Sequence, residues 1–228
     1  MAKKSSTSEC PKCQGYGFIL SDLEATPCGC RKHQLVAERL TQARIPRKFL
    51  NKTLDSFRGR DKMRKEVLSS ARAYIKGFHL REEMKGLLIV GVVGSGKSHI
   101  AVAILKEIIK KGYTGLYFNV PELLQKIRES YSSESDEGEA GILDMVSETD
   151  LLVLDDLGAD AASGWVRDRL YLLINRRYET NKPTIVTTSF ELDELKTQLG
   201  QRIVSRLCEM CSEFESLPRE DYRTKLLK

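Results

Sequence analysis

Between residues 86 and 190 the chain repeats one pattern: a short, nearly unbroken apolar run, then a longer stretch with apolar positions at helical spacing. The runs are GLLIVG (86–91), TGLYFNV (114–120), DLLVLDD (150–156) and PTIVTTSF (183–190). Runs of this length without polar alternation describe strands covered on both faces, as in a parallel sheet flanked by helices. Helical spacing occupies the stretches 97–111, 120–131, 139–148, 163–180 and 191–211. Strands alternating with helices predict an α/β fold on a parallel sheet. Two further helices are predicted upstream. One spans 31–45, with Leu35, Val36, Leu40 and Ile45 on one side and Pro46 ending it; the other spans 61–79, with Val67, Leu68, Ala71, Tyr74 and Ile75 together.

Residues 1–9 are polar and read as a disordered leader, 10–44 as a cysteine-rich module with a linker helix, and 45–228 as the α/β domain. The biased stretch SSESDEGE (132–139) reads as a loop or helix break. A chain of 228 residues, 41% hydrophobic and 30% charged, suits one core-bearing domain with a small appendage. No run approaches the roughly 20 apolar residues of a membrane span, and MAKKSSTSEC lacks an apolar signal core. The expected location is cytoplasmic, where six cysteines read as ligands or buried thiols rather than disulfides. Charge is uneven: residues 1–60 hold 12 Lys/Arg against 5 Asp/Glu (+7), leaving 25 against 27 (−2) for the remainder. A basic front end suits an acidic partner, nucleic acid or protein; a solvated leader is the alternative.

GVVGSGKSHI (91–100) fits G-x-x-x-x-G-K-[ST] in full, entered by a strand and left by a helix. In such a loop Gly91, Val92, Val93, Gly94, Ser95 and Gly96 bring backbone N–H groups to phosphates, Lys97 neutralises them, and Ser98 places its hydroxyl on Mg²⁺. His99 follows directly. LLVLDDLG (151–158) ends an apolar strand on two carboxylates. At that edge of a parallel sheet Asp155 is placed to hold Mg²⁺ and Asp156 to polarise an attacking water. An exposed Asp pair capping the next turn is the alternative.

Cys10-x2-Cys13 and Cys28-x-Cys30, 14 residues apart, offer four thiolates for a tetrahedral Zn²⁺. The second pair is tighter than usual, His33 is an alternative ligand, and a free-thiol arm or a redox pair are the other readings. Zinc would explain how so short a segment with little core becomes ordered. Cys208 and Cys211 lie within SRLCEMC and read as buried thiols on a helix.

The ordered set ARIPRKF, GVVGSGKSHIA, LLVLDDLG, WVRDRLYLLINRRYETNKPTIVTTSF, LGQRIVSRL and DYR resembles the DnaC/DnaI-like AAA+ replicative helicase loaders and the related IstB-like transposase-helper ATPases, over residues 44–228. The resemblance implies a P-loop NTPase with a parallel five-stranded sheet flanked by helices, using ATP and Mg²⁺. It implies slow, switch-like hydrolysis, because Asp156 stands where many such ATPases carry Glu. It places Ser189 at the sensor-1 position, usually Asn, Arg206 as an arginine finger reaching a neighbouring subunit's ATP, and Arg223 as sensor 2. Arg202 and Arg206 taken alone are also an ordinary solvated pair. LLQKIRESY (123–131) matches the family helix that contacts single-stranded DNA, through Lys126, Arg128 and Tyr131. Implied partners are a hexameric replicative helicase, docked through the cysteine module, single-stranded DNA, and further copies of the chain. The rivals are a transposase helper, with duplex DNA as its track, and a small-molecule kinase sharing the phosphate loop.

Overall fold

The computed structural model describes residues 10–20, 24–58, 61–80, 84–131, 138–159, 163–214 and 217. A short antiparallel hairpin, β1 (Phe18–Leu20) and β2 (Ala25–Pro27), leads into α1 (Gly29–Gln42), a single 3-10 turn (Arg47–Phe49) and α2 (Asp61–Gly77). Then follow β3 (Gly86–Val90), α3 (Lys97–Lys110), β4 (Gly115–Asn119), α4 (Val120–Glu129), α5 (Glu139–Glu148), β5 (Leu151–Asp155), α6 (Gly164–Glu179), β6 (Thr184–Thr188), α7 (Leu192–Leu199), α8 (Gln201–Met210) and β7 (Cys211–Glu213). The large sheet runs β4-β5-β6-β3-β7, with every pairing parallel.

Both faces of the sheet are covered, which is why its strands lack polar alternation. Successive side chains of a strand point to opposite faces. Ile89, Val153 and Ile185 therefore join Val67, Ala71, Ile100, Ile104 and Ile108 from α2 and α3. Leu88, Leu154 and Val186 meet Leu123, Ile142, Leu170, Leu173 and Leu207 on the other face. Among the described residues no helix is long and apolar enough to cross a membrane.

Two predicted helices differ. The expected helix 191–211 is broken by Gly200, whose φ of 92° is in a region open to glycine. The chain resumes as α8 and turns extended at Cys211, which begins the edge strand β7 against Gly86. Three residues, CSE, carry no strand pattern; the open edge of β3 decides their conformation. Of the two thiols expected to be buried, only Cys211 is, and burial pushes it up to about 12; Cys208 is exposed. Helix α1 ends at Gln42, ahead of a left-handed Arg44 (φ 57°) rather than at Pro46. No residue of α1 is buried, and Leu35, expected on its apolar side, is exposed. Helix α1 is held to the domain by Leu40, partly buried against the core as expected, and by Arg39, which donates to the Gly112 carbonyl. The segment that follows closes the sheet edge: the Tyr117 N–H of β4 donates to the Ala43 carbonyl at 2.9 Å.

At the opposite end of the sheet from the strand tips, Arg177 of α6 is fully buried. Its guanidinium donates to the Thr184 hydroxyl (2.8 Å) and to the carbonyls of Val146 (2.8 Å), Thr149 (3.0 Å) and Pro183 (2.7 Å). It thus ties together the chain entering β5 and the chain entering β6. Burial lowers its pKa to about 9, so it remains a cation at neutral pH.

Candidate nucleotide site and cysteine cluster

The sheet order brings three strand ends together. Val90 pairs with Thr188 and Leu154 with Val186, so Gly91, Ser189 and Asp155 follow at the C-terminal tips of adjacent strands β3, β6 and β5. Ligands of parallel sheets bind at that edge. The Gly91 N–H donates to the Thr188 carbonyl at 3.2 Å, extending the ladder into the loop.

The loop then turns through Gly94 (φ 76°) and Gly96 (φ 99°). A Cβ at Gly96 would stand 2.7 Å from the Phe57 ring, so both the backbone angle and the space require glycine. Lys97, largely buried, donates to the carbonyls of Gly91 (2.7 Å) and Val92 (3.0 Å), its ammonium lying inside the curve of the loop. Ser95 is buried, and its hydroxyl has no hydrogen-bond partner among the described residues. Helix α3 begins here, with Ser98 half-buried in its first turn. Its leading N–H groups have no intrahelical acceptors and favour an anion. An unpartnered buried hydroxyl, a glycine cradle and an enclosed ammonium fit a polyphosphate. His99 faces away from the loop: Nε2 lies 2.8 Å from the Thr53 carbonyl, and its ring meets Phe57 edge-on at 5.4 Å. Burial keeps it below the usual imidazole range.

Asp155 is buried at the tip of β5, and Asp156 beside it is exposed in a left-handed conformation (φ 66°). Asp tolerates that region better than most residues, and non-glycine residues held there often mark working sites. The Thr187 hydroxyl accepts from the Asp156 N–H at 3.0 Å and donates to Asp155 Oδ1 at 2.6 Å. Tyr117 and Thr187 were not singled out in the sequence, because within an apolar strand run a Tyr or Thr reads as filler.

Arg206 lies on α8, its guanidinium 4.4 Å from the Tyr171 ring centre and 5.5 Å from that of Tyr178. Arg202 is exposed one turn earlier. Arg223 lies outside the described residues, as do the leader 1–9 and most of the acidic stretch, 132–137. At the end of α4, the Arg128 guanidinium lies 4.8 Å over Trp165, whose Nε1 donates to the Tyr131 hydroxyl at 3.3 Å. Tyr131 remains half exposed. Trp165 went unnoticed in the sequence, and only its place at the start of α6 brings it to this cluster.

The Sγ atoms of Cys10, Cys13, Cys28 and Cys30 all lie within 4.8 Å of one another. Cys10–Cys28 is 3.8 Å and Cys13–Cys30 is 3.3 Å. Tetrahedral thiolates about 2.3 Å from Zn²⁺ stand about 3.8 Å apart, so the cluster fits that ion. The turn after Cys13 runs through Gln14 (φ 50°), Gly15 (φ 88°) and Gly17 (φ 74°), and the Cys28 N–H donates to Gly17 O at 2.8 Å. The tight C-x-C spacing works because Cys28 is extended while Cys30 is already in the first turn of α1. His33 is exposed and outside the cluster. Backbone N–H groups of Lys12 and Cys13 hold the Cys10 thiol down to about 7, whereas bonds to Cys13 and Cys28 push Cys30 up to about 12. Four thiolates this close coexist only around a cation.

A phosphate loop between strand and helix, with a buried carboxylate two strands away in a parallel sheet ordered β4-β5-β6-β3-β7, defines an AAA+ P-loop NTPase. The chain belongs to the IstB-like ATP binding protein family, whose model matches residues 15–225, and is DnaC/DnaI-like within that relationship. It is similar to the replicative helicase loader DnaC of Escherichia coli (strain K12), 26% identical over 157 residues, 69% of this chain and 63% of the relative. It is similar also to the replicative helicase loader DnaI of Bacillus subtilis (strain 168), 31% identical over 137 residues, 60% of this chain and 43% of the relative. The chain thus spans less than two thirds of the length of these curated relatives. Among solved structures, a crystal structure of the DnaC helicase loader matches at TM-score 0.67 and 32% identity, covering 74% of this chain and 98% of that one. AMPPCP-bound DnaA from Aquifex aeolicus, at TM-score 0.61 and 21% identity over 72% of this chain and 50% of that one, shares the fold.

Proposed function

We propose that the protein is an ATP-switched loader that engages a replicative DNA helicase and single-stranded DNA. The observation that carries this reading is the likeness to the DnaC loader structure, which takes in 98% of that chain and 74% of this one, a chain with a complete phosphate-loop motif. Phosphates are held by the loop 91–99, through backbone N–H groups that follow Gly91, and by Lys97. Ser98 and Asp155 are the residues that would hold Mg²⁺, which would supply positive charge against the phosphates. Asp156 accepts a proton from the attacking water, and Ser189 at the tip of β6 donates to a phosphate oxygen or to that water. Arg206, held on Tyr171 and Tyr178, reaches the ATP of a neighbouring copy, and Arg223 supplies the second sensor. An Asp at position 156 reaches less far than Glu, so hydrolysis is slow and serves as a switch. The protein acts in the cytoplasm.

Lys126, Arg128 and Tyr131 offer the mixture of cation and aromatic face that single strands favour. The cysteine cluster holds Zn²⁺ and docks the helicase. In support, Tyr16, Phe18, Ile19 and Leu35 around it are exposed. Replacing Cys10 and Cys13 together by serine is expected to release zinc, seen by metal analysis, and to weaken helicase capture at least about tenfold while ATP affinity stays within about twofold. Full helicase capture after complete zinc loss overturns the docking role.

The second reading, a transposase helper, is favoured by the IstB-like family match and uses the same ATP site. Affinity purification of the full chain with ATP and Mg²⁺ separates the two. Recovery of a hexameric helicase supports the loader; recovery of a transposase overturns it. Phosphoryl transfer to a nucleoside, without response to DNA, would instead indicate a kinase.

A further inference from the structure

Asp155 is gripped from both neighbouring strands. From β6, the Thr187 hydroxyl donates to Oδ1 at 2.6 Å, and from β4, the Tyr117 hydroxyl donates to Oδ2 at 2.6 Å. Tyr117 sits in the apolar run of β4 and is almost wholly buried, a place where leucine or phenylalanine satisfies packing without needing a partner. Its hydroxyl is given a purpose by the carboxylate it meets. Burial and the Asp155 charge both push the phenol above its ordinary range, so it stays a donor.

The ring is seated from outside the sheet. The Tyr117 backbone N–H donates to the Ala43 carbonyl, and Phe49 lies 6.1 Å from the ring, tilted by 57°. Ala43 and Phe49 bracket the linker between α1, which carries Cys30, and the ATPase core. Each carboxylate oxygen has about two acceptor sites, so the two hydroxyls fix the Asp155 rotamer and still leave one site on each oxygen.

We infer that Tyr117 is a positioning residue for Asp155, and that the linker 43–49, by seating Tyr117, sets the Mg²⁺ end of the site. The inference rests on the reading of Asp155 as a holder of Mg²⁺. It makes the linker a physical connection between the cysteine module and the nucleotide. Thr187 alone leaves the carboxylate free to turn about its Cα–Cβ and Cβ–Cγ bonds; the second hydroxyl removes that freedom. Short hydrogen bonds from O–H to carboxylate are among the stronger ones.

The test uses the full chain, a fluorescent ATP analogue, and Mg²⁺ titrated against an EDTA control. Tyr117→Phe keeps the ring and loses only the hydroxyl. It is expected to weaken the Mg²⁺-dependent part of binding by about tenfold, the scale of a lost outer-shell partner, with EDTA binding and thermal midpoint nearly unchanged. Phe49→Leu loosens the seat and keeps the hydroxyl; a loss of about threefold in the same quantity is expected. Combined with Tyr117→Phe it should add nothing, because both act through one hydroxyl. Mg²⁺ response in Tyr117→Phe equal to that of the unmodified chain overturns the positioning role. Losses that multiply in the double variant overturn the linker's part. Nucleotide binding by the unmodified chain that ignores Mg²⁺ overturns the assignment of Asp155 itself, a result distinct from the other two.

Discussion

Replacing Lys97 by alanine is expected to abolish ATP binding at micromolar protein while leaving the fold intact. The ammonium is enclosed by the loop and bonded to the carbonyls of Gly91 and Val92, so it is already placed where phosphate charge accumulates. Charged hydrogen bonds contribute about 1.5–3 kcal/mol each, and losing two that the ammonium would give to phosphate oxygens weakens ATP by at least about 100-fold. Lysine to alanine leaves no buried charge behind, and the Gly91 and Val92 carbonyls lie at a loop open to water. The thermal midpoint without nucleotide should therefore move little, while the upward shift that ATP gives the unmodified chain disappears. Calorimetric titration with ATP is the check; affinity within threefold of the unmodified chain contradicts the placement of the phosphates. Arginine at the same position keeps the charge but not the fit, and only partial recovery is expected.

The second large effect lies at the other end of the sheet. Arg177→Met retains most of the aliphatic bulk and removes every donor, leaving the Thr184 hydroxyl and the carbonyls of Val146, Thr149 and Pro183 without the guanidinium. Buried acceptors left unsatisfied cost about 1–3 kcal/mol each, and partial relaxation brings the net loss to about 3–5 kcal/mol. That is a large share of the stability of a domain this size. It should appear as a lower denaturant midpoint with an unchanged slope. Five-residue strands separate this anchor from the nucleotide site by about 15 Å, so the folded fraction should bind ATP normally. A shift below about 1 kcal/mol would mean that water replaces the guanidinium at these carbonyls.

The strands were legible because burial on both faces leaves a mark that needs no partner to be read. GLLIVG and DLLVLDD fall within one residue of β3 and β5 at either end, and the helix expected at 139–148 coincides with α5. The phosphate loop was legible for a related reason: its glycines and lysine serve a local backbone shape, so their spacing along the chain is the spacing in the site. The cysteines were half legible. The residue types and one C-x2-C pair suggested a metal, but the tight second pair became intelligible only once Cys28 was seen to precede a helix that carries Cys30.

By itself, the sequence determined the alternation of strand and helix, the phosphate loop, the paired carboxylates and the four candidate thiol ligands. All of these are written in residues near one another or in a repeating period. The tertiary structure alone decided that Cys211 starts a strand, that Leu35 is exposed, that Arg177 anchors β5 and β6, and that Tyr117 grips Asp155 from 38 residues away. The physical reason is common to them. A side chain's hydrogen-bond partner or an open sheet edge is set by which strands lie side by side, and the order β4-β5-β6-β3-β7 is not the order of the chain.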